Sequence, residues 1–196
     1  MSNNKQSNSF GGTSNDKECF DSEIGWGIHL DNDSYVQLFK STAELILNIT
    51  GAKTFTDFGG GMGAYAKAMK ESGCVVTYYD LNPHHCDYVK ERIKDIEIKQ
   101  MDFTTSRPKE VDLMASIEVM EHITDDKLKP FLKRIKCKYF HFSSTPNYTD
   151  FDAEWGHINI KTERQWIDLF EECGFTFHSK ILQPTAWSLL FTKSLQ

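Results

Sequence analysis

Five residues, Gly59-Gly60-Gly61-Met62-Gly63, stand between a strand pattern and a helix pattern, and four of the five are glycine. The strand pattern is Thr54 to Phe58. The helix pattern, rich in Ala and Lys, runs from Ala64 to Glu71 and ends at Ser72-Gly73. A β-branched and aromatic run from Val75 to Tyr79 follows and finishes on Asp80. Strand, glycine-rich turn, helix and strand form the nucleotide-binding half of an open parallel sheet. The glycines let the backbone approach a ligand closely. The helix N-terminus adds free N–H groups and the positive end of a dipole. An acid closing the second strand accepts hydrogen bonds from ribose hydroxyls.

Two spellings fit the turn. Gly59, Gly61 and Ala64 match the dinucleotide fingerprint G-x-G-x-x-G/A, and an NAD-dependent oxidoreductase is the alternative that follows from it. Asp57, Gly59, Gly61 and Gly63 match acid-x-G-x-G-x-G. This second spelling resembles motif I of the class I S-adenosylmethionine (SAM)-dependent methyltransferases. The carboxylate two residues before the first glycine favours it. Beside a pyrophosphate, Asp57 would repel its ligand; beside SAM it meets an ammonium and a sulfonium. A turn used only for packing is the plain alternative, and the flanking strand, helix and terminal acid weigh against it.

With 196 residues, the length fits about one domain. Met1 to Asp21 is rich in Ser, Asn, Gly and Lys and reads as a disordered tail, leaving residues 22–196 as a single domain. The formal net charge is -6, and no Lys/Arg run stands out, so a broad nucleic-acid footprint is not indicated. The five cysteines are scattered, with no C-x-x-C pair, as in reduced cytoplasmic proteins. No apolar run approaches the ~20 residues of a membrane span, and the start lacks a signal peptide's apolar core.

Ile24 to Leu30 is apolar, aromatic and broken by glycines; it reads as a lid over a cleft or as a strap packed on the core. Ser34 to Ile49 has helical apolar spacing, with Asp33 or Ser34 as the cap and Gly51 as the stop. A helix then opens at Pro83 and runs to about Lys94, followed by a short strand at Asp95 to Ile98. Val111 to Ile117 reads as a buried strand, and Asp125 to Ile135 as a helix containing Pro130. Tyr139 to Ser143 is the next strand. Ser144 to Ile160 is a long loop. Thr162 and Gln165 form a capping box before a helix that ends at Gly174. The chain closes with a hairpin, Phe175 to Leu182 and Ala186 to Thr192.

The resemblance to the class I methyltransferases extends along this order, from about Thr54 to the C-terminus. It implies an α/β, Rossmann-like, doubly wound sheet of seven strands, mostly parallel with an antiparallel C-terminal hairpin strand. Asp80 matches the family's ribose-binding acid, and Leu81 would flank the adenine. Asp102 matches the residue that contacts the adenine amino group, with Phe103 lining the ring's pocket. The segment Glu118-Val119-Met120-Glu121-His122 looks like the E-x-x-E-H found after the fourth strand in one subset. Ser144-Thr145-Pro146-Asn147 is similar to the subset's S-T-P-N, and His157 falls where that subset has a histidine.

If the E-x-x-E-H piece is helical, positions i, i+3 and i+4 share one face. Glu118, Glu121 and His122 then converge, and His157 can complete a four-ligand set. Two carboxylates and two imidazoles suit Mn²⁺, Fe²⁺ or Zn²⁺, with Mg²⁺ less at ease. The set is similar to that of the small-RNA 3′-terminal 2′-O-methyltransferases, and the segment also resembles ubiquinone-biosynthesis O-methyltransferases. Such a metal would lower a hydroxyl pKa and orient it. The competing reading gives Glu118 a contact with the methionine part of SAM, and His122 and His157 a structural or general-base role. Either way Glu121, His122 and His157 face the acceptor as catalytic candidates. The expected acceptor is a small molecule or a terminal group, at oxygen. An RNA 3′ end remains within the resemblance, and a non-catalytic SAM-binding module is a further alternative. There is no N/D-P-P-Y/F motif, so methylation of DNA bases is disfavoured.

Overall fold

The computed structural model describes residues 16–145 and 156–194. Seven strands form one sheet: β1 (Thr54–Phe58), β2 (Val75–Asp80), β3 (Glu97–Gln100), β4 (Val111–Ile117), β5 (Cys137–Ser143), β6 (Phe175–Ile181) and β7 (Ser188–Lys193). Their order is β3-β2-β1-β4-β5-β7-β6. Strands β1 to β5 pair in parallel; β7 lies antiparallel between β5 and β6. This is the doubly wound, Rossmann-like α/β sheet with an antiparallel terminal hairpin that the sequence implied.

Helices cover both faces. α2 (Asp33–Thr50), α3 (Ala64–Glu71) and α4 (Pro83–Arg92) contribute Phe39, Ile46, Tyr65, Met69 and Val89 to one core cluster, against Phe55, Val76 and Leu113 of the sheet. α5 (Asp125–Arg134) and α6 (Glu163–Glu172) contribute Leu128, Phe131, Trp166 and Phe170 to the other, against Phe58, Met114 and Phe140. A sheet buried on both faces needs strands apolar on both sides, which is why β4 shows no alternation. No helix of the described residues is long and apolar enough to cross a membrane.

Several boundaries differ from the sequence reading. The tail expected to run through Asp21 gives way to a helix, α1 (Asp16–Gly25), which contains no fully buried residue. Long-range contacts hold it, including Glu23 to His85 and Phe20 on the α4 rings, and these have no periodicity to read. Residues 1–15 lie outside the described set. The cap of α2 is Asn32, whose side chain accepts from Ser34 N, rather than Asp33 or Ser34. β3 begins at Glu97, because Asp95 takes a positive φ of 57° in the turn before it. The Thr162/Gln165 capping box forms as expected. Of the long loop, Pro146, Asn147, Tyr148 and Trp155 lie outside the described residues. Ile28 and Leu30 pack on the first core cluster while Trp26 is exposed, so Ile24 to Leu30 runs as a strap.

Phe170 is fully buried and stacks on Phe191 with ring centroids 4.2 Å apart. Phe170→Ala should lower stability by about 3–5 kcal/mol in urea unfolding. A loss under 1 kcal/mol would show that α6 does not seal this face.

Candidate functional site

The sheet order places a crevice at one point. β1 pairs with β2 on one side and with β4 on the other, so the chain winds away from it in both directions. Ligands of open α/β sheets sit outside the carboxyl ends of the strands at such a switch point. The glycine turn follows β1, and Glu118 to His122 follows β4. The two segments touch: a Cβ on Gly59 would lie 2.7 Å from Val119 Cγ1.

The glycine turn is fastened to β2 from below. Gly59 N and Gly60 N both donate to Tyr79 O, at 2.8 and 3.2 Å. Gly61 N donates to Asp80 Oδ2 at 2.9 Å, and the Tyr78 hydroxyl donates to Gly61 O at 2.6 Å. Gly61 has φ +51°, which favours glycine, and a Cβ there would meet nothing within 4 Å. The turn therefore presents an open cradle on its outer side.

Two acids lie beneath it. Asp57 is 2% exposed, under Gly60, and its Oδ2 has no hydrogen-bond partner. Burial, reinforced by the charge of Asp80, raises its carboxyl from 3.8 to about 7. Asp80 is equally sheltered but well supplied. Its Oδ1 accepts from Asn82 N at 2.8 Å and faces His85 Nδ1 at 3.4 Å. Burial opposes its ionisation, yet His85 and the two N–H groups outweigh burial and hold the carboxyl below its usual range. His85 Nε2 meets Glu23 Oε2 of α1 at 2.5 Å. Burial likewise opposes the imidazolium, but the two acids push the His85 pKa to about 10.

Leu81 is half-buried beside Asp80. Asp102 caps a 3-10 turn, accepting from Thr104 N at 2.9 Å and from the Thr104 hydroxyl at 2.6 Å. Phe103 is 4% exposed and packs on Phe58 and Phe131, so its ring belongs to the core.

Glu121, His122 and His157 come together. Each offers a donor atom, and the three atoms lie within 4.8 Å of one another. The imidazoles of His122 and His157 meet edge to face at 4.6 Å, and His157 Nε2 is 4.0 Å from Glu121 Oε1. The loop carrying His157 is clasped by the main chain: Ile158 N and Asn159 N both donate to Glu121 O, at 2.9 and 2.8 Å. His122 Nδ1 lies 3.2 Å from Gly156 O. A carbonyl can only accept, so Nδ1 carries the proton and Nε2 keeps its lone pair. Burial, then the neighbouring His157, lowers the His122 pKa to about 4, which keeps the ring neutral.

Glu118 is not in this group. The shared helical face expected for Glu118, Glu121 and His122 does not form, because only Met120–His122 is helical, as a 3-10 turn. Glu118 N donates to Ser143 O, prolonging the pairing of β4 with β5, and its φ is +54°. Its carboxylate accepts from the Ser143 hydroxyl at 2.6 Å, from Trp187 Nε1 at 2.8 Å and from the Thr145 hydroxyl at 3.1 Å. The expected four-donor set is thus three donors and a separately braced acid. Two residues escaped the sequence reading. His85 lies in the first turn of α4, which brings its imidazole to Asp80. Glu23 carried no signal at all.

Residues 55–137 match a family model described as a methyltransferase domain. No curated protein matches the chain. Among solved structures, mitomycin 7-O-methyltransferase MmcR superposes with a TM-score of 0.66 at 17% identity, over 83% of this chain and 55% of that one. Human N-acetylserotonin methyltransferase, in complex with SAM, gives 0.60 at 21% identity, over 82% and 55%. A SAM-dependent methyltransferase from Clostridium acetobutylicum gives 0.71 at 11% identity, over 90% and 100%. The chain spans 55% of the length of the first two. At these identities the likeness shows the fold, which is that of the SAM-dependent methyltransferases.

The Asp57 carboxyl makes a prediction about pH. Its folded pKa lies above its unfolded one, so its ionisation opposes folding. That opposition is absent below about pH 4, grows as pH rises, and is complete above about pH 7. Asp57→Asn should therefore stabilise the free protein at pH 8 by roughly 2–4 kcal/mol, with the advantage vanishing near pH 4. Urea unfolding at both pH values checks it; a constant difference would show that Asp57 is not the titrating group.

Proposed function

We propose that this chain is a SAM-dependent methyltransferase acting at an oxygen of a small-molecule acceptor. One observation carries the reading. The cradle that fits SAM and the acid–imidazole cluster that fits an acceptor are joined through the Gly59–Val119 contact, across the switch point.

The residues present suit SAM. Gly61 leaves backbone space for a ligand on the outer side of the turn, and Asp57 lies buried beneath the turn at Gly60. The charge of a cationic ligand over the turn would favour the ionised form of Asp57, whereas a pyrophosphate would add repulsion. Asp80, held ionised, is placed for ribose hydroxyls, and Asp102 and Leu81 for the adenine. Bound there, SAM supplies an already activated sulfonium methyl.

The chain's own contribution is positioning, shelter from water and management of one proton. His122 is neutral, with Nδ1 bonded to Gly156 O, and in this reading its Nε2 accepts the acceptor hydroxyl's proton as the oxygen attacks. Glu121 lies beside the imidazoles and stabilises the charge that the proton brings. Glu118, fixed by three donors, shapes the wall between the two halves.

The same three residues suit a divalent metal. Two imidazoles and one carboxylate favour Mn²⁺, Fe²⁺ or Zn²⁺ over Mg²⁺, and three protein donors leave positions open for an acceptor's oxygens. A metal held there would lower the acceptor's pKa.

Two measurements test these readings. Calorimetric titration should show S-adenosylhomocysteine binding with no response to NAD(H); the reverse would favour the oxidoreductase. Methyl-labelled SAM should label a small-molecule component of a cell extract, and Glu121→Ala or His122→Ala should lower the rate about 100-fold or more while retaining S-adenosylhomocysteine binding. SAM binding with no acceptor ever labelled would favour a non-catalytic module. For the metal, Glu121→Ala and His157→Ala should each lose it from the purified protein. Wild-type protein that holds none after reconstitution with Mn²⁺, Fe²⁺ or Zn²⁺ refutes that part alone.

A further inference from the structure

Helix α1 is attached to the protein in an unusual way. It has no fully buried residue. Phe20 reaches the rings of His84, His85 and Tyr88 at 5.9, 5.8 and 5.7 Å, and Asn82 Nδ2 donates to Asp16 O at 2.9 Å. Its charged anchor is Glu23, whose carboxylate meets His85 Nε2 at 2.5 Å. The other nitrogen of that imidazole faces Asp80. The side chains of His85, Asp80 and Glu23 are 7%, 9% and 18% exposed, so water screens this chain of charges little.

We propose that His85 is a positioning residue that couples cofactor binding at Asp80 to the seating of helix α1, through Glu23. The inference rests on the reading that Asp80 receives the ribose of SAM. Segments with few buried apolar contacts open at low free energy, and in α1 Phe20 alone packs on the core, with Glu23–His85 as the charged anchor.

The hydrogen-bond directions fix the sign of the coupling. Asp80 Oδ1 is occupied by Asn82 N and His85, while Oδ2 accepts from Gly61 N, with the Tyr78 hydroxyl close by. A ribose hydroxyl approaching Oδ2 need not displace His85. It holds Asp80 in the orientation that His85 already uses, so ligand and helix favour the same state. By linkage, whatever helps α1 to seat then raises cofactor affinity by the same factor.

The test uses the full chain, S-adenosylhomocysteine, and amide hydrogen exchange with calorimetry. In wild type the ligand should slow exchange at residues 16–25 about tenfold, along with the turn at 59–63. Glu23→Gln should weaken binding about tenfold and abolish the ligand-dependent protection of 16–25, while 59–63 stays protected. His85→Gln should weaken binding at least as much, and the double variant no more than His85→Gln alone, because the two act along one path. Glu23→Asp should restore part of the effect. A merely structural tether would lower the unfolding temperature and leave affinity unchanged. Ligand that protects 59–63 but not 16–25, or Glu23→Gln binding as wild type, overturns the coupling and leaves the cofactor reading standing. Wild type that does not bind the ligand overturns both.

Discussion

Asp57 and Asp80 stand at the ends of neighbouring parallel strands, almost closed to water, with the glycine turn above them. Two like charges so placed cannot both be comfortable. The protein settles the conflict unequally. Asp80 receives an imidazolium and two N–H groups and stays ionised; Asp57 receives little and is pushed up to about 7. That asymmetry organises the rest of the site. Asp80, made rigid, fixes Gly61 and hence the shape of the cradle. Asp57, left short of a partner, lies buried under Gly60. Removing His85 would therefore disturb both the turn's anchor and the helix tied to the histidine's far side.

The other half of the cleft is built by a different device. After β4 the chain does not enter a helix but takes a left-handed step at Glu118. A non-glycine residue there is strained by of order 1–3 kcal/mol, and the three donors from Ser143, Thr145 and Trp187 hold it in place. Trp187 comes from the terminal hairpin loop, so the antiparallel end of the sheet supports the wall of the cleft. The step also sends Glu118 and Glu121 to different tasks, one into the β5 side and the other toward the imidazoles.

How much of this was legible follows from the range of each interaction. The glycine turn, the strands of the central sheet, the capping box at Thr162 and the stop at Gly51 are all local, and local patterns were read correctly. The acids at Asp57 and Asp80 were singled out because the glycine turn ties them to fixed positions on β1 and β2. The helical stacking of Glu118 with Glu121 was expected from spacing, and failed because pairing with Ser143, a residue 25 positions away, claimed Glu118 first. Helix α1 was missed for the same reason. Its anchor, Glu23 to His85, spans 62 residues, and a helix with little apolar face leaves no period in the sequence. Phe103 has the residue type of a ring-stacking partner, but only the packing of Phe58 and Phe131 shows that it faces inward.

His157 illustrates how a side chain on a loop can still be well placed. The main chain of the loop is tied to Glu121 O by two amides, and Asn159 adds side-chain bonds to Ile123 O and to Asp125 at 2.6 and 2.9 Å. The acid that contributes its carboxylate to the cluster thus also fixes, through its carbonyl, the segment that delivers the imidazole. Donor and support are one residue. The position of His157 then depends on backbone bonds that any side chain permits, so neighbouring positions such as exposed Ile158 are free to vary without moving the imidazole. A cluster built in this way keeps its geometry while the surface around it changes.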